Sequence, residues 1–403
     1  MKKSHIDWCP VIPDHWEEKR IKDIALLQSG NSITAMDIAE EGKYPVYGGN
    51  GLRGYTNNYT NDGDYVLIGR QGALCGNINY AYGKFYATEH AVVVYTKNEE
   101  ITYWLGETLK AANLNRLSMT AAQPGLAVST LNIQFIPYPP RKERIRIANY
   151  LAEKCTEIDT QVSLLTSKRD AYLRLKKSII NHAVIRGLNP NVKMKDSGIE
   201  WIGEVPEHWE VKRMKDICAL SPNIKSCSEY EYGSYLPMEG LRLDQIETSD
   251  ELVSTLQGKY TPFEDNDLLV AKVTPCFENG NIAIAKGLTN GVGFGSSEIF
   301  VLRANKYNNI RFLFYMSLSS KFQDKACATM CGVGGLKRIS PLFMKTYIMA
   351  IPPSTEQRAI ATYLDEKCAK IDTIVSNLDK QISRYADLKR SLIDEVITGK
   401  RAV

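Results

Sequence analysis

The chain has little of what a secreted or membrane protein needs. No stretch of its 403 residues approaches the roughly 20 consecutive apolar residues of a bilayer span. Lys2 and Lys3 near the start have no apolar run behind them, so no signal peptide is expected. Nine cysteines, an odd number without paired spacing, predict reduced thiols and a cytoplasmic location rather than a disulfide framework. Cys327 and Cys331 stand four apart without a nearby histidine or second cysteine pair, which argues against zinc. An excess of one charge is also missing: 50 basic side chains face 46 acidic ones, a net of +4, so any nucleic-acid contact must come from local basic faces. Neither the dinucleotide fingerprint nor the phosphate-binding loop is matched by Gly48-Gly49-Asn50-Gly51. A nucleophile-base arrangement for acyl transfer is absent too.

With 44% hydrophobic and 24% charged residues the chain must fold, and its length suits two similar-sized globular units. It is also written twice. Ile6-Asp7-Trp8, Ile12-Pro13-Asp14-His15-Trp16-Glu17 and Lys19-Arg20-Ile21-Lys22-Asp23-Ile24 return without a gap as Ile199-Glu200-Trp201, Val205-Pro206-Glu207-His208-Trp209-Glu210 and Lys212-Arg213-Met214-Lys215-Asp216-Ile217. A second block closes each half. Pro139-Pro140, Glu143, Ile147-Ala148, Tyr150-Leu151, Glu153-Lys154-Cys155 and Ile158-Asp159-Thr160 return as Pro352-Pro353, Glu356, Ile360-Ala361, Tyr363-Leu364, Glu366-Lys367-Cys368 and Ile371-Asp372-Thr373. Between these blocks, over about 25–135 and 218–350, no self-similarity is visible.

The second block reads as a long helix. Leu151, Cys155, Ile158, Val162, Leu165, Tyr172 and Ile179 follow steps of four and three or their sum, an a/d seam, and Leu364, Cys368, Ile371, Val375, Leu378, Ile382, Tyr385 and Leu392 repeat it. Ser354 is the expected N-cap with Gln357 three residues on, and Gly187 and Gly399 the expected C-terminal stops. Such seams need a partner, and each is the other's nearest, so an antiparallel pair over 141–187 and 354–400 is expected. In it Leu151, Ile158, Val162 and Leu165 would face Leu364, Ile371, Val375 and Leu378. A coiled coil that only dimerises is the competing reading.

Each variable region alternates β-branched and aromatic runs with glycine-rich turns, followed by helix near 99–115 and 308–327, so each is expected to be a mixed α/β domain. Several loops combine glycine, for close backbone approach, with arginine, lysine, asparagine or glutamine, the side chains that contact phosphates and base edges. The candidate DNA-contacting residues are Tyr47, Asn50, Arg53, Arg70 and Gln71 in the first region, and Lys272, Thr274, Asn279, Lys337 and Arg338 in the second. Met238-Glu239-Gly240 is a further candidate loop. For any one such loop, a plain tight turn explains the glycine and asparagine as well. His15 and His208, at matched positions beside tryptophan, are expected to pack or cap each domain entrance.

These residues carry a pattern over nearly the whole chain. The twice-used Trp-Ile-Gly-Glu-Val-Pro-Glu-His-Trp-like entry (Trp201–Trp209, looser at Trp8–Trp16) and the twice-used Pro-Pro helix start are its main carriers. Tyr44–Gly51, Ile68–Gly72, Ala87–Ala91 and Gly332–Ile339 add to it. In these the chain resembles the specificity subunit of type I restriction-modification enzymes. The resemblance implies target-recognition domains at 1–138 and 189–351, a central conserved helix at 139–188 and a C-terminal conserved helix at 352–403. That is a mixed α/β fold with pseudo-twofold internal repeat and two long antiparallel coiled-coil helices. It also implies a non-catalytic reader of a bipartite double-stranded DNA target, with two methyltransferase and two restriction subunits as partners. S-adenosylmethionine, ATP and Mg would then sit on those partners and no cofactor on this chain. A methyltransferase or nuclease acting alone would need an Asn/Asp-Pro-Pro-Tyr motif or an acidic metal cluster, and neither is found; a scaffold without a DNA role is the other alternative.

Overall fold

Both Pro-Pro sequences release a long helix, because a proline pair sets an extended entry that has no further N–H to satisfy. In the computed structural model, which describes residues 1–72, 74–97, 102–118, 125–222, 224, 229–332 and 335–403, the helices run Arg141–Arg186 and Ser354–Ile397. Gly187 and Gly399 follow with φ of 75° and 70°, the left-handed C-terminal stop that glycine adopts without cost. The N-terminal end differs from expectation. Ser354 is the first helical residue, its hydroxyl accepting from Arg358, while Gln357 donates to the Pro352 carbonyl at 2.8 Å. The first copy uses Arg144, which donates to the Pro139 carbonyl at 2.7 Å.

The chain divides into two units, Met1–Thr166 with Lys380–Val403, and Ser167–Asp379, so both long helices contribute to both units. Within the second unit Arg169 meets Asp379 and Lys176 meets Asp372, so the segments run antiparallel. Within the first, Lys389 meets Asp159 at 2.7 Å. The shift that carries Pro139 onto Pro352 also carries Asp159 onto Asp372 and Lys176 onto Lys389, so these two ion pairs are one contact used twice.

The expected facing of like seam positions is corrected. Leu151 and Ile158 pack in the first unit's core with Leu392, Val396 and Ile397, whereas Leu364 and Cys368 pack in the second unit's core with Ile180, Ala183 and Val184. Antiparallel helices match early positions with late ones; equal-position pairing belongs to parallel helices.

The variable regions share one topology that their sequences conceal. In the first unit an antiparallel sheet has the order Ala25–Ser29, Ala91–Thr96, Tyr65–Gly69, Ile78–Ala81. The second unit repeats it as Cys218–Leu220, Ile299–Ala304, Leu268–Ala271, Ile282–Ile284. A second sheet is likewise doubled: Gly51–Thr56, Tyr44–Gly48, Lys84–Ala87, Asn61–Asp62 in one unit, Ser249–Leu252, Tyr232–Leu236, Val292–Gly295, Thr261–Glu264 in the other. In both, the two middle strands are parallel. Helices follow at Thr102–Ala111 and at Ile310–Ser317 and Ser320–Ala328. The fold is mixed α/β with two sheet-rich halves, as expected.

The repeated entry closes each unit. Glu17–Arg20 pairs with Phe135–Tyr138, and Glu210–Arg213 with Ile348–Ile351. Trp16 and Trp209 are buried, each against the glycine that ends a long helix. His15 and His208 bond Glu143 and Glu356 at 2.9 and 2.7 Å, fastening the entry to the first turn of a helix. The copies differ here: Trp209 Nε1 donates to Glu356 at 3.2 Å, while Trp16 Nε1 has no hydrogen-bond partner among the described residues.

Candidate nucleic-acid interface

In the first unit three loops are forced together at one end of the strand Tyr65–Gly69. A Cβ at Gly69 would lie 1.9 Å from the Gly49 carbonyl oxygen, so the turn at 48–51 reaches its position only because residue 69 has no side chain. Gly49 in turn lies against the carbonyls of Gln71 and His90. Arg70 N–H donates to the His90 carbonyl at 2.8 Å, and Leu126 N–H to the Arg70 carbonyl at 2.9 Å. Gln71 forms a bridge with Gly125.

The second unit builds the same frame from other residues. Lys272 N–H donates to the Glu298 carbonyl at 2.8 Å, Ile339 N–H to the Lys272 carbonyl at 2.9 Å, and Val273 bridges Arg338. The approach to it is matched as well: His90 N–H donates to Thr88 Oγ1 at 3.3 Å and Glu298 N–H to Ser296 Oγ at 3.2 Å. Arg70 and Lys272, singled out from unrelated motifs, therefore hold one structural position. His90 answers to Glu298, and Gly125 to Arg338.

The candidate side chains differ in how free they are. Arg70 donates from Nη1 to Ser29 Oγ at 3.2 Å. Lys272 donates to the Ser297 carbonyl at 2.6 Å and lies over the Phe300 ring at 4.8 Å, and its burial lowers its pKa. The aliphatic part of Arg53 lies over Gly48, while its guanidinium has no partner among the described residues. Exposed Asn50 accepts from Asn77 at 3.4 Å, and Gln71 is exposed. Tyr47 is half-buried, edge-on to Phe85. Asn279 is exposed, as is Lys337, whose ammonium has no partner among the described residues.

Thr274 is buried and engaged. Its hydroxyl donates to the Gly335 carbonyl and accepts from Lys337 N–H, both at 2.9 Å, so it ties the Gly335–Arg338 segment to the strand end. Val333 and Gly334 of that glycine-rich loop lie outside the described residues. Thr274→Val leaves the Lys337 amide without this acceptor, with an expected loss of about 1–3 kcal/mol, read as a lower urea unfolding midpoint at unchanged slope.

Sequence reasoning passed over Glu298, which holds Arg338 by Nε at 3.0 Å and by Nη2 at 2.9 Å. It also passed over Asn79, beside the turn at 48–51, and Glu89, whose Nδ2 and Oε2 are buried without a hydrogen-bond partner among the described residues. One signal was present: Thr88-x-His90 and Ser296-x-Glu298 precede equivalent strands with the same hydroxyl-to-amide spacing. Among the described residues no group of three or more His, Cys, Asp or Glu could hold a metal ion, and no helix is long and apolar enough to cross a membrane. The eight described cysteines are free; Cys227 lies outside the described residues.

Two matched frames on a duplicated chain are what a comparison with known proteins also returns. The model of the type I restriction modification DNA specificity domain matches twice, over residues 13–163 and 206–384. The chain belongs to that family. It is 41% identical over 157 residues to the EcoprrI specificity subunit of Escherichia coli, covering 38% of this chain and 39% of that one. It is 22% identical to the MjaVIII specificity subunit of Methanocaldococcus jannaschii over 96% of this chain and 93% of the other. The chain spans 39%, 37% and 33% of the length of the E. coli EcoprrI, EcoEI and EcoAI subunits it matches. A chain from a solved structure on complex assembly and conformational transition of the type I R-M system shares the fold, with a TM-score of 0.69, 13% identity, and coverage of 97% of this chain and 100% of the other.

Proposed function

We propose that the chain is a non-catalytic reader of a bipartite double-stranded DNA site, each sheet-rich unit reading one half. In this reading it acts in the cytoplasm and directs two adenine methyltransferase subunits and two ATP-dependent restriction subunits. The observation that carries this is the frame built twice. Arg70 and Lys272 occupy one position with one set of backbone bonds, while the residues around them differ. That is the arrangement expected when one scaffold presents two base preferences. Membership in a family described by DNA specificity supports the same reading.

The partners supply the chemistry. S-adenosylmethionine, ATP and Mg bind to them, and the methyltransferases flip and methylate an adenine in each half-site. The isolated chain should therefore show no heat of binding to S-adenosylmethionine in calorimetry and should neither cut nor methylate DNA; saturable binding of the methyl donor would defeat this assignment. The function itself is tested by methylome sequencing of the host with and without the gene. One split methyladenine motif should vanish on deletion, and an unchanged methylome would leave a scaffold without a DNA role as the better reading.

A further inference from the structure

We infer that Arg338 reads a guanine in the second half-site and that Glu298 is the positioning residue that holds it in reading geometry; this rests on the DNA-reading function proposed above. An arginine recognises guanine by offering two N–H donors in one plane to O6 and N7. A free arginine on a surface samples many rotamers, so a reader gains from a partner that fixes its plane without using both of its forked edges.

Glu298 meets that requirement. Its carboxylate takes Nε and one N–H of Nη2, at 3.0 and 2.9 Å. A guanidinium has five N–H donors, so the end-on edge formed by Nη1 and the remaining Nη2 hydrogen stays free, and Nη1 makes no hydrogen bond among the described residues. Both residues start from fixed backbone. Arg338 exchanges two backbone bonds with Cys331 at 2.9 and 3.1 Å and bridges Val273, and Glu298 is held through Lys272 and Ser296. The Arg338 side chain keeps half of its surface exposed and Glu298 about a third, at 51% and 30%. An ion pair this exposed contributes little to stability, which leaves orientation as its main effect.

The first unit has the same frame without the reader. Its matching positions are Gly125 and His90, so the Arg338–Glu298 pair has no counterpart at these two positions. The guanine preference that Arg338 confers should therefore fall at one base pair of the second half-site. Lys337 is beside Arg338 without a carboxylate partner among the described residues, and a lone ammonium suits a phosphate better than a base edge.

The test is selection of bound duplexes from a random pool by the assembled methyltransferase complex carrying wild-type chain, Arg338→Lys, Glu298→Gln or Lys337→Ala. Arg338→Lys keeps the charge and loses the fork, and should lower the preference for guanine over the other bases about tenfold or more at one position of the second half-site. Glu298→Gln should relax that same position by a smaller factor, with the first half-site untouched. Lys337→Ala should weaken all sequences alike and lower the salt dependence. Uniform weakening by Arg338→Lys would make Arg338 a phosphate contact and overturn the inference. So would loss of a cytosine preference at a different position in Glu298→Gln, since Glu298 would then be reading a base itself. The wild-type arm stands apart: if it selects no sequence, DNA reading has failed rather than the assignment of Arg338.

Discussion

A chain carrying both Ile158→Asp and Ile371→Asp should lose several kcal/mol of stability, about 3 to 5 for each buried charge left unpaired. Ile158 and Ile371 are 8% and 6% exposed, at matched positions of the two long helices. Ile158 belongs to the first unit's core with Leu151 and Leu392. Lys389 and Lys176, which meet the neighbouring Asp159 and Asp372, are already committed, so a new carboxylate gains no free partner from either pair. Since each unit carries one of the two residues, each single variant should lower the unfolding midpoint of its own unit. The measurement is urea unfolding followed by circular dichroism. An unchanged midpoint in the double variant would show that the seam is not a core.

The helices and the entry segments were legible because their residues obey rules that need no tertiary information. Steps of four and three place Leu151, Cys155 and Ile158 on one face, and glycine after the last apolar residue ends a helix. The facing of the two helices was less legible. A seam shows which residues are buried and not against what, and only pairs such as Asp159 with Lys389 give the register. The sheets were legible as strands and not as a repeat. Val66-Leu67-Ile68 and Leu268-Leu269-Val270 need only to be apolar and β-forming, so selection leaves little common spelling, and loops of different length break the alignment. The equivalence of Arg70 with Lys272 became visible only through the amides and carbonyls they share. Glu298 was hidden for a related reason. Its partner Arg338 is distant in the chain, and the pairing exists only once the segment before Ile339 returns to the strand end. Thr274 shows the converse: a hydroxyl in a glycine-rich setting suits DNA contact, yet here it bonds Gly335 and Lys337.

If each unit reads its own half-site, sequences selected from a random duplex pool by the assembled methyltransferase complex should contain two constant blocks and an unread gap. Readers working from one face favour blocks near a whole turn apart, about 34 Å. Arg70→Ala should then relax or weaken only the first block, by about 1–3 kcal/mol if the guanidinium makes a bidentate base contact. Its present bond to Ser29 is a single one at 3.2 Å, which a base edge or phosphate could replace at small cost. The gap should answer to a different change. Both long helices pass from one unit to the other in the chain, so four residues added to each at the boundary, after Thr166 and after Asp379, leave the named ion pairs and core contacts inside their own units. The expected result is a gap of altered length, or loss of binding, with base preference inside each block preserved. A single continuous motif from the wild type, or an Arg70→Ala variant that alters both blocks equally, would refute the two-reader reading.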